Sequence, residues 1–210
     1  SVARYLRKHP NVVAYVDNHG DFYNCANTWL SKHIQHGIIF RRCAHIINPY
    51  VKKFYGTQPA RIDFLTEMYG IPKKRCELLV VGADDDLVQR ANNQETRNII
   101  RANIEVEQND FLIVTGGKIN EYRPETLALM KAVKSICNPR VKLLIFGTVS
   151  EALKANFDQL CKDEHIRYIG WIKSENTYDY FAAADLVVFP GLHSVMWEQA
   201  VAQGKPCIFR

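Results

Sequence analysis

The chain has 210 residues, 47% of them hydrophobic, with 27 Lys and Arg against 22 Asp and Glu for a formal net charge of +5. That length and apolar content are enough for one large core or two small ones, and point to a soluble globular protein. The basic residues are scattered without a long run, and many aromatics sit inside apolar runs such as Phe111 to Val114, which argues against a nucleic-acid-binding surface.

Targeting and metal signals are equally sparse. The six cysteines (Cys25, Cys43, Cys76, Cys137, Cys161, Cys207) form no close pair of the kind a zinc knuckle or redox dithiol needs, so no metal site is expected and reduced thiols in the cytoplasm are. No apolar run approaches the roughly 20 residues that span a bilayer. The opening SVARYLRKHP has no signal-peptide pattern and reads as the tail of a helix, which leads us to expect a piece of a longer chain.

In chain order, Val12 to Val16 reads as a strand, followed by Asp17-Asn18-His19-Gly20-Asp21-Phe22. Cys43 to Ile47 reads as a second strand, Arg61 to Tyr69 as a helix and Glu77 to Val81 as a third strand ending in Gly82-Ala83-Asp84. Residues 1–85 thus fit the end of a first α/β lobe. Residues 86–109 are polar, punctuated by Asn-Asn-Gln and Glu-Gln-Asn-Asp, and read as a connector with one helical piece.

Residues 110–210 are more regular. Strands are expected at Phe111 to Thr115, Val141 to Phe146, Ile166 to Ile169, Asp185 to Phe189 and Pro206 to Phe209. Helices are expected between them at Glu125 to Ile136, Ser150 to Cys161, Asn176 to Ala184 and Val195 to Gln203. Strands that are continuous apolar runs are buried on both faces, so strict alternation with helices predicts a Rossmann-like, doubly wound parallel sheet. Ligands of such sheets sit beyond the carboxyl ends of the strands.

Two constellations fall at such ends. Thr115-Gly116-Gly117-Lys118 is read as a strand-to-helix turn, with Arg123 and Pro124 just before the next helix. Glycines let backbone amides approach an anion, and Lys118 and Arg123 add positive charge beside a helix amino terminus, an arrangement that suits a diphosphate. An ordinary strand-to-helix loop would look the same, and the spacing is neither a Walker loop nor a three-glycine dinucleotide fingerprint. The second is Pro190-Gly191-Leu192-His193-Ser194, leading into a helix that carries Glu198 and Gln199. Its amides and hydroxyl suit an anion, and Glu198 suits vicinal ribose hydroxyls, although Ser194 also fits an N-cap and Glu198 a first-turn acid. In the first lobe His19 lies between two acids, as a proton shuttle or sugar-hydroxyl partner would, and as a solvated Asn-Gly-Asp turn also would.

Five landmarks, taken together, resemble one family. Gly117-Lys118-Ile119 with Arg123 and Pro124, Phe146-Gly147, Tyr168-Ile169-Gly170-Trp171, Ala184 to Pro190, and Glu198 through Gly204-Lys205-Pro206 resemble, in order and spacing, the donor lobe of GT-B glycosyltransferases of the family-4 type. The resemblance covers residues 110–210 and implies a nucleotide-sugar donor lobe, incomplete at its end. It implies that Gly117, Lys118, Arg123, His193 and Ser194 hold the donor diphosphate. Gly170, Trp171 and Ile172 would then meet the nucleobase, and Glu198 or Gln199 the ribose. His19 would face the transferred sugar as the catalytic-side histidine.

Such an enzyme moves a hexose from a nucleoside-diphosphate sugar to an acceptor hydroxyl, with retention and without a metal or other cofactor. It belongs to polysaccharide biosynthesis, with a carbohydrate or lipid-linked acceptor and peripheral association at the inner face of the membrane. A non-catalytic nucleotide-binding module and an inactive fragment are the alternatives. One departure stands out. The family pairs two glutamates, and at the expected spacing before Glu198 stands Pro190; counted back from Gly204, the pair falls on Gly191 and Gln199.

Overall fold

The computed structural model describes residues 2–121 and 124–210. The chain divides into two units, Ser1–Val81 and Gly82–Arg210.

In the first unit, α1 (Val2–Lys8) precedes β1 (Ala14–Asn18), and a π-helix (Ser31–Phe40) runs directly into α2 (Arg41–Ile47). There follow β2 (Val51–Gly56), α3 (Pro59–Glu67) and β3 (Cys76–Leu78). The three strands form a parallel sheet in the order β1-β2-β3. The strand expected at Cys43 to Ile47 is therefore helix α2, and the strand is β2. A short apolar run fits helix and strand equally, and here it continues a helix already under way, burying only Ala44. In β2 the pair Lys52-Lys53 interrupts the apolar pattern, while Val51, Phe54 and Gly56 are the buried positions. Phe54, Leu65 and Ile71 form the centre of this unit's core.

The second unit opens with two helices, α4 (Asp85–Ala91) and α5 (Gln94–Asn103), where a connector with one helical piece was expected. Polar side chains cap both: Asp84 accepts from the Leu87 amide and Asn93, of the Asn-Asn-Gln stretch, from the Thr96 amide, each satisfying a donor that a helix start leaves free. Arg97 and Arg101 of α5 then reach Asp185, at 2.6 and 3.2 Å. Arg101 is wholly buried, and its guanidinium also donates to the carbonyls of Ala183, Glu107 and Asp110. Asp185 accepts in addition from the Leu112 amide. A single carboxylate thus ties α5 to the first strand of the main sheet.

That sheet alternates with helices as β4 (Phe111–Ile119), α6 (Glu125–Ser135), β5 (Val141–Val149), α7 (Glu151–Leu160), β6 (Ile166–Tyr168), α8 (Thr177–Ala183), β7 (Leu186–Phe189), α9 (Met196–Ala202) and β8 (Cys207–Phe209). All strands are parallel, in the order β6-β5-β4-β7-β8. Successive residues of a strand point to opposite faces, and the two faces build separate cores. Leu112, Val114, Leu144 and Phe146 pack with Phe181 and Ala200 on one face, while Ile113, Leu143 and Ile145 pack with Met130, Val133 and Phe157 on the other. This is the doubly wound α/β layout expected. Strand order reverses between β4 and β7, the switch point at which such sheets bind ligands. Among the described residues, no helix is long and apolar enough to cross a membrane.

Candidate functional site

At the switch point, the Gly116-Gly117 pair lies within β4, where the sequence reading placed a turn. Gly116 pairs in register with Phe146 and Gly117 with Gly147. The glycines are required because the two strand ends nearly touch. A Cβ on Gly116 would stand 2.1 Å from the Phe146 ring, and one on Gly147 would stand 1.8 Å from the Gly117 carbonyl oxygen. Gly117 and Gly147 also adopt φ of +133° and +125°, a region L side chains avoid. Gly147 is held further by its amide, which donates to the Gly170 carbonyl, and by its own carbonyl, which accepts from the Tyr168 hydroxyl.

Two cavities open over these strand ends. The wider, about 370 Å³, lies over Gly117 and Gly147 between Phe146, Trp171, Ile172 and Met196. Trp171 is 68% exposed at its edge, and Gly170 makes the bend before it with φ +75°. The narrower cavity lies between the end of β4 and the loop after β7, bounded by Gly117, Glu125, Pro190, Gly191 and Ser194. Lys118, exposed, lines both. Its ammonium makes no ion pair with any described residue, so its charge is available to a ligand. Arg123, its expected companion, lies outside the described residues.

The loop after β7 distributes its residues unevenly. Ser194 lines the narrower cavity, and its hydroxyl accepts from the Met196 amide at 3.3 Å, so anion wall and helix cap are compatible roles here. His193 is bonded to Glu198 (Nε2 to Oε1, 2.7 Å), with the Trp197 ring edge-on at 5.0 Å. Glu198 Oε2 is buried without a hydrogen-bond partner. Neither His193 nor Glu198 is among the residues lining the two cavities. Gln199 is 5% exposed, and its side chain is bonded to the Thr177 hydroxyl at 2.9 Å, joining α9 to α8.

In the first unit, His19 follows the last residue of β1, at the carboxyl end of the strand. Its Nε2 meets Asp17 Oδ2 at 2.7 Å, and both side chains are exposed. The turn that carries it is fastened by Asn18, whose side chain bonds Gly20 and the Arg61 carbonyl, and by Asn24, which donates to the His19 carbonyl.

Several cavity residues carried no role in the sequence reading. Thr148, Thr177 and Val195 line the wider cavity; Thr115, Glu125 and Thr126 line the narrower one. Glu125 is the acid in the first turn of α6, an ordinary place for a glutamate. A further small cleft, between Glu105, Lys142 and His165, lies by the starts of β5 and β6, away from the ligand-binding strand ends.

Residues 109–209 match the glycosyl transferases group 1 family. No relative was found among curated proteins. Among solved structures, Anabaena HepE in complex with UDP is similar at a TM-score of 0.69 and 15% identity, over 94% of this chain and 53% of that one. A glycosyltransferase from Rickettsia africae is similar at a TM-score of 0.68 and 15% identity, over 98% of this chain and 59% of that one. The sucrose-phosphate synthase of Thermosynechococcus elongatus gives a TM-score of 0.68 at 17% identity, over 98% and 52%. The fold is shared with GT-B glycosyltransferases, and the chain spans little more than half the length of each of these structures. The glycosyl transferases group 1 segment coincides with the sheet that carries both cavities, from just before β4 through β8.

Proposed function

We propose that the protein is a glycosyltransferase that moves a hexosyl group from a nucleoside-diphosphate sugar to an acceptor hydroxyl. The observation that carries this is Lys118, which makes no ion pair with any described residue, standing between a roomy aromatic-edged cavity and a narrower one that also holds Glu125 and Ser194, at the switch point of the sheet. A base fits the first, between Trp171 and Ile172, and a diphosphate fits the second, against Lys118, the Gly117 backbone and Ser194. Arg123 is the second cation in this reading. The leaving nucleoside diphosphate gains negative charge in the transition state, and preorganised cations and amides stabilise it without a metal. Glu198 is assigned to the ribose side and His193, bonded to it, to the diphosphate side. Gln199, engaged with Thr177, is the alternative only if that bond opens. His19, oriented by Asp17, is assigned to the sugar or acceptor. Retention of anomeric configuration is part of this proposal, as is UDP as the first donor nucleotide to try, since the similar Anabaena protein was crystallised with it.

The acceptor side is proposed to be a carbohydrate or lipid-linked substrate of polysaccharide assembly, met at the cytoplasmic membrane surface. In support, residues 22–62 contain no Asp or Glu, and the helical stretch within them exposes Trp29, Leu30, Ile38 and Ile39 beside Lys32, Arg41 and Arg42. Exposed apolar groups with basic neighbours suit an anionic lipid surface.

The test replaces Lys118→Ala together with Arg123→Ala in the full-length protein and measures UDP binding and UDP-sugar turnover. Turnover is expected to fall by about 100-fold or more, the scale of losing charge stabilisation of a leaving group. Undiminished binding and turnover would sink the phosphate assignment. Saturable nucleotide binding by the parent protein with no turnover of any donor or acceptor would favour a non-catalytic nucleotide-binding module.

A further inference from the structure

The narrow cavity faces a carboxylate that the two-glutamate pattern does not supply. Glu125 opens α6, and its side chain lines the cavity opposite Gly191. One carboxylate oxygen, Oε1, is taken by the Arg210 guanidinium. The other, Oε2, is buried and has no hydrogen-bond partner among the described residues. A Cβ placed on Gly191 would lie 3.8 Å from that oxygen. The loop after β7 thus has no side chain at this point, and the space that one would fill is bordered by Glu125 instead.

An ionised carboxylate accepts hydrogen bonds and donates none. Burying one oxygen without a donor is unfavourable, the more so for a charged group. Such a site is completed by a ligand bearing donors. A diphosphate has only acceptors and is itself anionic, so it belongs at Lys118 and is repelled at Glu125. A neutral sugar has hydroxyl donors and no charge. Arg210 fixes the carboxylate and leaves Oε2 as the free acceptor.

Resting on the nucleotide-sugar reading above, we propose that Glu125 is the sugar-selecting carboxylate of this site, accepting a hydrogen bond from a hydroxyl of the donor sugar. It supplies, from the start of α6, a carboxylate that Pro190 and Gly191 cannot supply from the loop after β7.

The test is calorimetric titration of the full-length protein and of Glu125→Gln and Glu125→Asp with UDP alone, with the UDP-sugar that the parent binds best, and with its deoxy analogues. UDP affinity is expected to stay within about twofold, while the variants bind the UDP-sugar about tenfold more weakly, a loss typical of one hydrogen bond to a charged group. One deoxy analogue is expected to show the same loss with the parent protein and no additional loss with Glu125→Gln. The deoxy series on the parent reads out the contact even where a variant folds poorly. Equal weakening of UDP and UDP-sugar, or unchanged UDP-sugar binding in both variants, would overturn the assignment while leaving the donor site intact. Absence of any UDP or UDP-sugar binding by the parent protein would overturn the donor-site reading and this one with it.

Discussion

The two cavities share the end of β4, Lys118 and Met196, and differ in the rest of their lining. The wider one is closed by Phe146, Trp171, Ile172 and Met196, side chains that offer area and few directed bonds. The narrower one sets Lys118, Glu125 and Ser194, groups whose value depends on the charge and donors of what they meet, among Phe189, Leu192, Met196 and Trp197. The proposed donor, with one flat, weakly polar end and one charged end, suits both at once. Lys118 borders each. The difference teaches how the proposed donor would divide recognition along its length, so that changes on one side are expected to leave the other side's affinity standing.

The largest expected effect abolishes the comparison by removing the shared floor. Gly147→Ala puts a methyl group 1.8 Å from the Gly117 carbonyl oxygen, at a φ of +125°. The β4–β5 pairing must part, and overpacking together with backbone strain is expected to cost about 4 kcal/mol. Thermal unfolding of the variant checks this; a midpoint within a degree or two of the parent would mean that the strand ends are not in contact. Both cavities should lose ligand together.

Next comes the support beneath β4. Asp185→Asn leaves the wholly buried Arg101 without its carboxylate, and breaking such a pair is expected to cost about 3 kcal/mol in denaturant unfolding. Burial by itself would raise the Asp185 carboxyl above its ordinary value of 3.8; the Leu112 amide and the Arg97 and Arg101 guanidiniums outweigh it, and the result is lower. With the folded value depressed, the unfolded chain binds the extra proton. The contribution is whole above pH 3.8 and drains as pH falls through the folded value. The parent should therefore lose stability in that window and the Asn variant should lose less; parallel acid-unfolding curves would contradict the role.

How far this was legible from sequence follows the same physical division. In residues 110–210, strands buried on both faces are unbroken apolar runs, and every strand and helix of the main sheet was visible within a few residues. In the first unit, Cys43 to Ile47 misled because a five-residue apolar run carries no period of its own, and β2 was hidden by Lys52-Lys53. The cavity residues divide likewise. Lys118 and Trp171 were visible because glycines and order along the chain flag strand ends. Glu125 was not, because a first-turn glutamate is ordinary until an orphaned oxygen and a missing side chain at Gly191 give it a purpose. Gln199 was placed beside the ribose by spacing alone, and its bond to Thr177 depends on how α9 meets α8, which no local pattern encodes.

The smallest expected effect sharpens the division most. Trp171 is 68% exposed and contributes no buried core area, so Trp171→Ala should leave the unfolding midpoint unchanged. If its ring stacks on the base, the loss is about 1–3 kcal/mol, and the lower part of that range is about tenfold in affinity. The penalty should be the same for UDP and for any UDP-sugar, because the proposal puts the sugar on the Glu125 side, and it should vanish for inorganic diphosphate, which has no base. A variant that weakens diphosphate and UDP alike would show that Trp171 shapes the loop and does not meet the base, and the wider cavity would then need another occupant.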